Sequence, residues 1–206
     1  HAGVWKIFAL MVPVLVGQAA GEVNKLVDVL LARSLSEGIV SAFYYANRLI
    51  QLPLSMFGFA VAVAILPTLS QAAARNRVKE IRETLMTGFR QSYFLVCPSL
   101  LGLVFFGEPI VRLLFERGDW TTAQTELTVR ALTIYALGLL SFAWIKVGVT
   151  GFFCVDDTKT PVIVASASMI LNILLNIALV RPLGYQGLAL ATVISYTVNF
   201  AALYVM

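Results

Sequence analysis

One guanidinium interrupts the apolar run at residues 41–70, SAFYYANRLIQLPLSMFGFAVAVAILPTLS. Arg48 falls about 13 Å along a helix that starts near Ile39, at the usual rise per residue. In hydrocarbon a guanidinium costs several kcal/mol unless it meets water or a partner, and no acidic residue follows it before Ser70. Two readings are open at this point. Arg48 faces a wet cavity and an anionic cargo, or it snorkels to the interface beside Tyr44, Tyr45 and Asn47. A second constellation is spread along the chain. Asn172 and Asn176, in LNILLNIAL, are one helical turn apart and project from one face. Asp28 and Thr192 supply a carboxylate and a hydroxyl in other apolar stretches. Such oxygens suit a hard cation, and carboxamides equally serve as interhelical glue. Glu22, Lys25 and Asp28 are three apart, so they share a face as an ion-pair ladder or as part of a hydrophilic cavity.

The elements that must position these groups follow from composition. Of 206 residues, 59% are hydrophobic and only 13% charged, against about a quarter charged in soluble domains. The chain therefore reads as an all-α membrane protein. At about 20 residues per span it holds six transmembrane helices, and its long unbroken apolar runs exclude a barrel of alternating strands. The expected spans are 4–35, 39–74, 84–106, 123–153, 160–180 and 188–206. The first is interrupted by Pro13, Gly17 and Gly21, and the second is long enough to require a tilt or a bend at Pro53 or Pro67. Residues 107–122 read as a connection with a short amphipathic turn, broken at Gly118-Asp119 before Thr121 or Thr122 caps the next helix. Asp157 or Thr158 can cap the fifth helix, with Pro161 in its first turn, and residues 181–187 form a reversal.

Segment 75–90 carries five basic side chains against two acidic ones. The positive-inside rule places it in the cytoplasm, and six crossings then put both chain ends there. The formal charge of +4 is explained by this distribution and gives no reason to expect a nucleic acid partner. Lys146 lies near the cytoplasmic end of its span, where it can snorkel, and Arg130 near the outer end. Cys97 and Cys154 have no paired spacing. No phosphate loop or metal-ligand cluster is visible, and the only histidine is His1, so no enzyme is expected. The start at His1, with no signal peptide, reads as part of a longer protein.

Four stretches resemble one family. The run at 41–70, LFERGDWTTAQTELTVRALTIYALGL, DDTKTPV and LNILLNIALVRPLGYQGLALAT are together similar to the MurJ/MviN lipid II flippases. The resemblance implies the fold of the multidrug/oligosaccharidyl-lipid/polysaccharide exporters, two six-helix lobes around a central cavity, with this chain as the second lobe. It implies a multi-pass protein of the bacterial inner membrane. Its partners would be lipid II, the surrounding membrane lipids and a first lobe lying outside this sequence. The arginine of the family's ANRL/ADRL stretch maps to Arg48 and lines the cavity where a diphosphate is held. Some members hold sodium through positions that map to Asp28, Asn172, Asn176 and Thr192. The second fifth-helix position can be an acid in the family, whereas Asn176 is neutral. Two alternatives are a cation-coupled exporter of drugs or other lipid-linked oligosaccharides, and a structural membrane subunit. A cavity lacking Arg48 would favour the first alternative.

Overall fold

Every regular element among the described residues, 22–33, 35 and 38–206 of a computed structural model, is helical. The first half of the expected first span, with Pro13, Gly17 and Gly21, lies outside them. Helix α1 covers 22–33, α2 Ile39–Pro53, α3 Ala60–Ala74, α4 Val78–Phe115, α5 Thr122–Leu137, α6 Leu139–Cys154, α7 Lys159–Leu183 and α8 Tyr185–Val205. The pairs α2–α3, α4, α7 and α8 are each long and apolar enough to cross a membrane, and α5–α6 makes a fifth crossing if its bent halves are one span.

Local chemistry explains the breaks. Pro53 cannot supply the amide that would continue the ladder, and the chain loosens into a π-helical turn over Leu54–Phe59 before α3 resumes. Pro67 leaves α3 continuous. The α5–α6 crossing bends by 45° at Gly138, where a side chain would strike Phe142 and Val193. Thr121 starts α5 with a capping box. Its hydroxyl accepts from the Gln124 amide at 3.3 Å, and its own amide donates to Gln124 Oε1 at 3.0 Å. Asp157 rather than Thr158 caps α7, accepting from the amides of Lys159 at 3.1 Å and Thr160 at 3.0 Å.

Two boundaries differ from the sequence reading. Helix α4 is 38 residues long, so the start of the expected 107–122 connection and much of the basic segment are helix. Glu108 and Glu116 flank Arg112 at i±4, 2.7 and 3.8 Å from it, and this pairing carries the helix past Pro109. The expected reversal at 181–187 shrinks to Gly184 (φ 57°, ψ −137°), with α7 reaching Leu183 and α8 starting at Tyr185.

The core runs along the bundle axis through Ala46 and Leu49 of α2, Val96 and Val111 of α4, Leu132 of α5, Ala143 of α6 and Leu188 of α8. A second cluster joins Val61, Ile65 and Leu69 of α3 to Val147 of α6. Between helices in lipid the attraction comes from close packing and interhelical hydrogen bonds. Small residues such as Ala46, Ala136, Ala143 and Ala191 are accordingly fully buried, while large ones such as Phe94 and Phe105 of α4 point outward.

Candidate functional site

Asp28, Asn172, Asn176 and Thr192 meet. Asn176 Nδ2 donates to Asp28 Oδ1 at 2.7 Å and to Asn172 Oδ1 at 3.0 Å. Asn172 Nδ2 lies 3.4 Å from the Thr192 hydroxyl, which is shared between Asp28 Oδ2 at 3.3 Å and the Leu188 carbonyl at 3.1 Å. Both asparagines are completely buried. The convergence follows from the fold. The asparagines ride one face of α7, which packs along α8, and α1 reaches both through Asp28. Lys25 does not compete for Asp28, because it pairs with Glu22 at 2.6 Å. The expected three-residue ladder is thus divided, with Asp28 committed to α7 and α8.

The site also contains an unmet acceptor. Asn176 Oδ1 is buried without a hydrogen-bond partner, and a buried polar atom left unpaired costs about 1–3 kcal/mol. A carboxylate, two amide oxygens and a hydroxyl within one cluster form an all-oxygen donor set suited to a small hard cation. Asn176 Nδ2 now faces Asp28 and Asn172, so a cation there would engage the orphaned oxygen once the Asn176 amide turns over. The residues therefore fit the sodium that the family resemblance implies.

Arg48 stands apart, on an exposed face of α2. Its Nη2 donates to the Tyr44 hydroxyl at 2.9 Å, and its guanidinium carbon lies 5.0 Å from the Tyr44 ring centroid. No carboxylate pairs with it among the described residues. An aromatic cluster fixes the N-terminal half of α2. Tyr45 packs on Phe115 and Trp120 with centroids 4.6 and 4.9 Å away, and Trp120 Nε1 donates to Thr125 Oγ1 at 2.8 Å. The sequence reading treated Tyr44 only as an interfacial neighbour. Its i−4 spacing from Arg48 is the signal that it holds and orients the guanidinium.

Arg130 is exposed and paired with Glu126. Lys146 is exposed, has no ion-pair partner among the described residues, and borders a groove between α3, α6 and α7. At the turn outside the bundle, the Thr160 hydroxyl and the amides of Thr160 and Lys159 hold the Asp157 carboxyl below its usual value. Cys97 and Cys154 are free thiols.

The family model described as lipid II flippase MurJ matches residues 1–206. The chain belongs to the lipid II flippase MurJ family. Similar curated relatives include the probable lipid II flippase MurJ of Vibrio cholerae, 40% identical over 98% of this chain and 38% of its own length. Another is the lipid II flippase MurJ of Burkholderia cenocepacia, 32% identical over 99% of this chain and 40% of its own length. Among solved structures, a lipid II flippase MurJ in an inward closed conformation superposes with a TM-score of 0.83 at 28% identity, over 92% of this chain and 40% of the other. An outward-facing MATE-family multidrug transporter reaches 0.83 at 16% identity, over 96% and 43%, and shares the fold. The chain thus spans about two fifths of the length of the MurJ proteins it matches. That proportion fits one lobe of a two-lobed exporter, and the fold is that of an all-α membrane protein of this class.

Proposed function

We propose that this chain is the second lobe of a flippase that carries lipid II from the cytoplasmic to the periplasmic leaflet of the bacterial inner membrane, and that it acts as a transporter without a catalytic step. The observation that supports this best is Arg48. A guanidinium about 13 Å from the outer end of α2, on an open face and without a carboxylate partner among the described residues, is poorly solvated by lipid tails. It fits a water-filled cavity closed by a first lobe. There its planar fork can pair bidentately with a diphosphate at any relevant pH. Tyr44 holds the group in place from one side and leaves its other donors for the cargo.

The polar head of lipid II cannot cross hydrocarbon unaided, so two lobes rocking about a central site can present it to each leaflet in turn. The basic segment 75–90 orients the lobe, with α3, α6 and α8 ending and α4 and α7 starting on the cytoplasmic side. Asp28, Asn172, Asn176 and Thr192 would hold sodium. When bound, the ion supplies the positive charge that balances Asp28 where α1, α7 and α8 meet. Those four side chains already tie the three helices together, so occupancy there would bear on how α1 sits against the rest of the lobe.

The test uses cells whose resident flippase is switched off. A full-length protein carrying this lobe should sustain growth and cell shape, the Arg48→Ala form should not despite normal abundance, and Arg48→Lys should be impaired because a point charge lacks the fork. Normal growth on well-expressed Arg48→Ala would overturn the assignment.

A further inference from the structure

We propose that Tyr135 of α5 is a positioning residue for the cation site, turning the Thr192 hydroxyl so that a lone pair faces the ion; this rests on the sodium binding proposed above. Tyr135 is buried in the core, where its ring packs edge-on against Phe43 of α2 with centroids 6.0 Å apart. Phenylalanine would fill that space equally well, so packing does not account for the hydroxyl. The hydroxyl lies within hydrogen-bonding reach of the Thr192 side chain and close to the Asp28 carboxylate, and a buried phenol needs such a partner. Helix α5 thereby joins α1, α7 and α8 at the cluster.

The bend of the α5–α6 crossing brings the two hydroxyls together. Tyr135 is one turn before Gly138, where a Cβ would come within 2.9 Å of Val193, the residue next to Thr192. Bare backbone at the bend lets α8 approach α5 closely. Tyr196, one turn after Thr192, packs on Phe142 of α6 with centroids 4.8 Å apart and seals the same side. The role follows from hydroxyl chemistry. Thr192 has one proton and two lone pairs, and its hydroxyl is shared between Asp28 Oδ2 and the Leu188 carbonyl. A proton left pointing at Asp28 would meet the ion that Asp28 attracts. The Tyr135 hydroxyl can donate or accept, so it fixes the rotation of the Thr192 hydroxyl and leaves a lone pair for sodium.

Sodium binding to the purified full-length protein would be measured by isothermal titration calorimetry, with choline chloride holding the ionic strength constant, and thermal unfolding would be followed in choline alone. Tyr135→Phe should raise the sodium dissociation constant about tenfold, as expected for loss of one hydrogen bond, while unfolding close to wild type in choline. Tyr196 is the control, a second phenol near Asp28 whose ring packing survives in phenylalanine. Tyr196→Phe should bind sodium as wild type does. Unchanged sodium affinity in Tyr135→Phe, whether or not its stability in choline falls, would make the phenol helix glue and overturn the proposal. An equal loss of affinity in Tyr196→Phe would overturn it in favour of a general effect of nearby phenol dipoles. A wild type that binds no sodium would instead bring down the sodium reading itself, and the role of Tyr135 with it.

Discussion

Replacing Asn176 by aspartate should turn the polar cluster into a site that depends on sodium. The amide nitrogen of Asn176 is 2.7 Å from Asp28 Oδ1, so Asn176→Asp brings two carboxylates together with charge centres about 4 Å apart. At an effective dielectric constant of about 20, that repulsion is about 4 kcal/mol. The change also removes the amide's donations to Asp28 and Asn172, worth about 1 kcal/mol each. A cation between the two carboxylates reverses the larger of these effects. At a hundred times its dissociation constant, sodium would contribute about 2.7 kcal/mol to any form that binds it only when folded. Thermal unfolding of the purified full-length protein in sodium chloride and in choline chloride at equal ionic strength measures this. Wild type should gain stability in sodium. Asn176→Asp should be the less stable of the two in choline and show the larger gain in sodium, and Asp28→Asn, which keeps the shape without the charge, should show none. An identical sodium response in all three would reduce the cluster to helix glue and refute the reasoning.

Three further outcomes are expected. Asp157→Ala should cost about 1 kcal/mol by removing the α7 cap. Because the Asp157 carboxyl is held below its usual value, its stabilisation is full at neutral pH and lost as pH falls below the ordinary carboxylate range, near 4; the gap between wild type and variant in denaturation experiments should therefore close in acid. Gly187→Ala would set a methyl group onto the Leu179 carbonyl, so α7 and α8 must part and the melting temperature should drop, by an overpacking cost of about 1–3 kcal/mol. A cysteine at Arg77, on the turn before α4, should resist a membrane-impermeant thiol reagent in whole cells and react after permeabilisation; labelling of intact cells would invert the topology.

Much of this was legible in the residues. Hydrophobic content and run length required membrane-spanning helices, and the four-residue spacing of Asn172 and Asn176 placed both amides on one face. Their convergence with Asp28 and Thr192 came from three helices meeting, which no local pattern encodes, yet the cost of polarity in an apolar run singled out the same four positions. The boundaries were harder to read. Residues 107–122 read as a connection, but the Glu108–Arg112–Glu116 pairing and packing of Gly107 near Leu132 support α4 as far as Phe115. The bend at Gly138 was hidden because Val193 of α8, one of the two side chains that leave no room for a Cβ there, lies 55 residues downstream in sequence.

The central claim is that Arg48 holds the diphosphate of lipid II while the lobes exchange leaflets. The most direct measurement is the amount of lipid II exposed on the outer leaflet, read by its cleavage with an externally added lipid II-degrading enzyme. The cells would live through the assay on a conditional copy of their own flippase, switched off shortly before sampling, with the full-length protein or its Arg48→Ala form present at equal abundance. The account predicts cleavage with wild type, and intact lipid II accumulating inside with Arg48→Ala. Equal cleavage in both would contradict it.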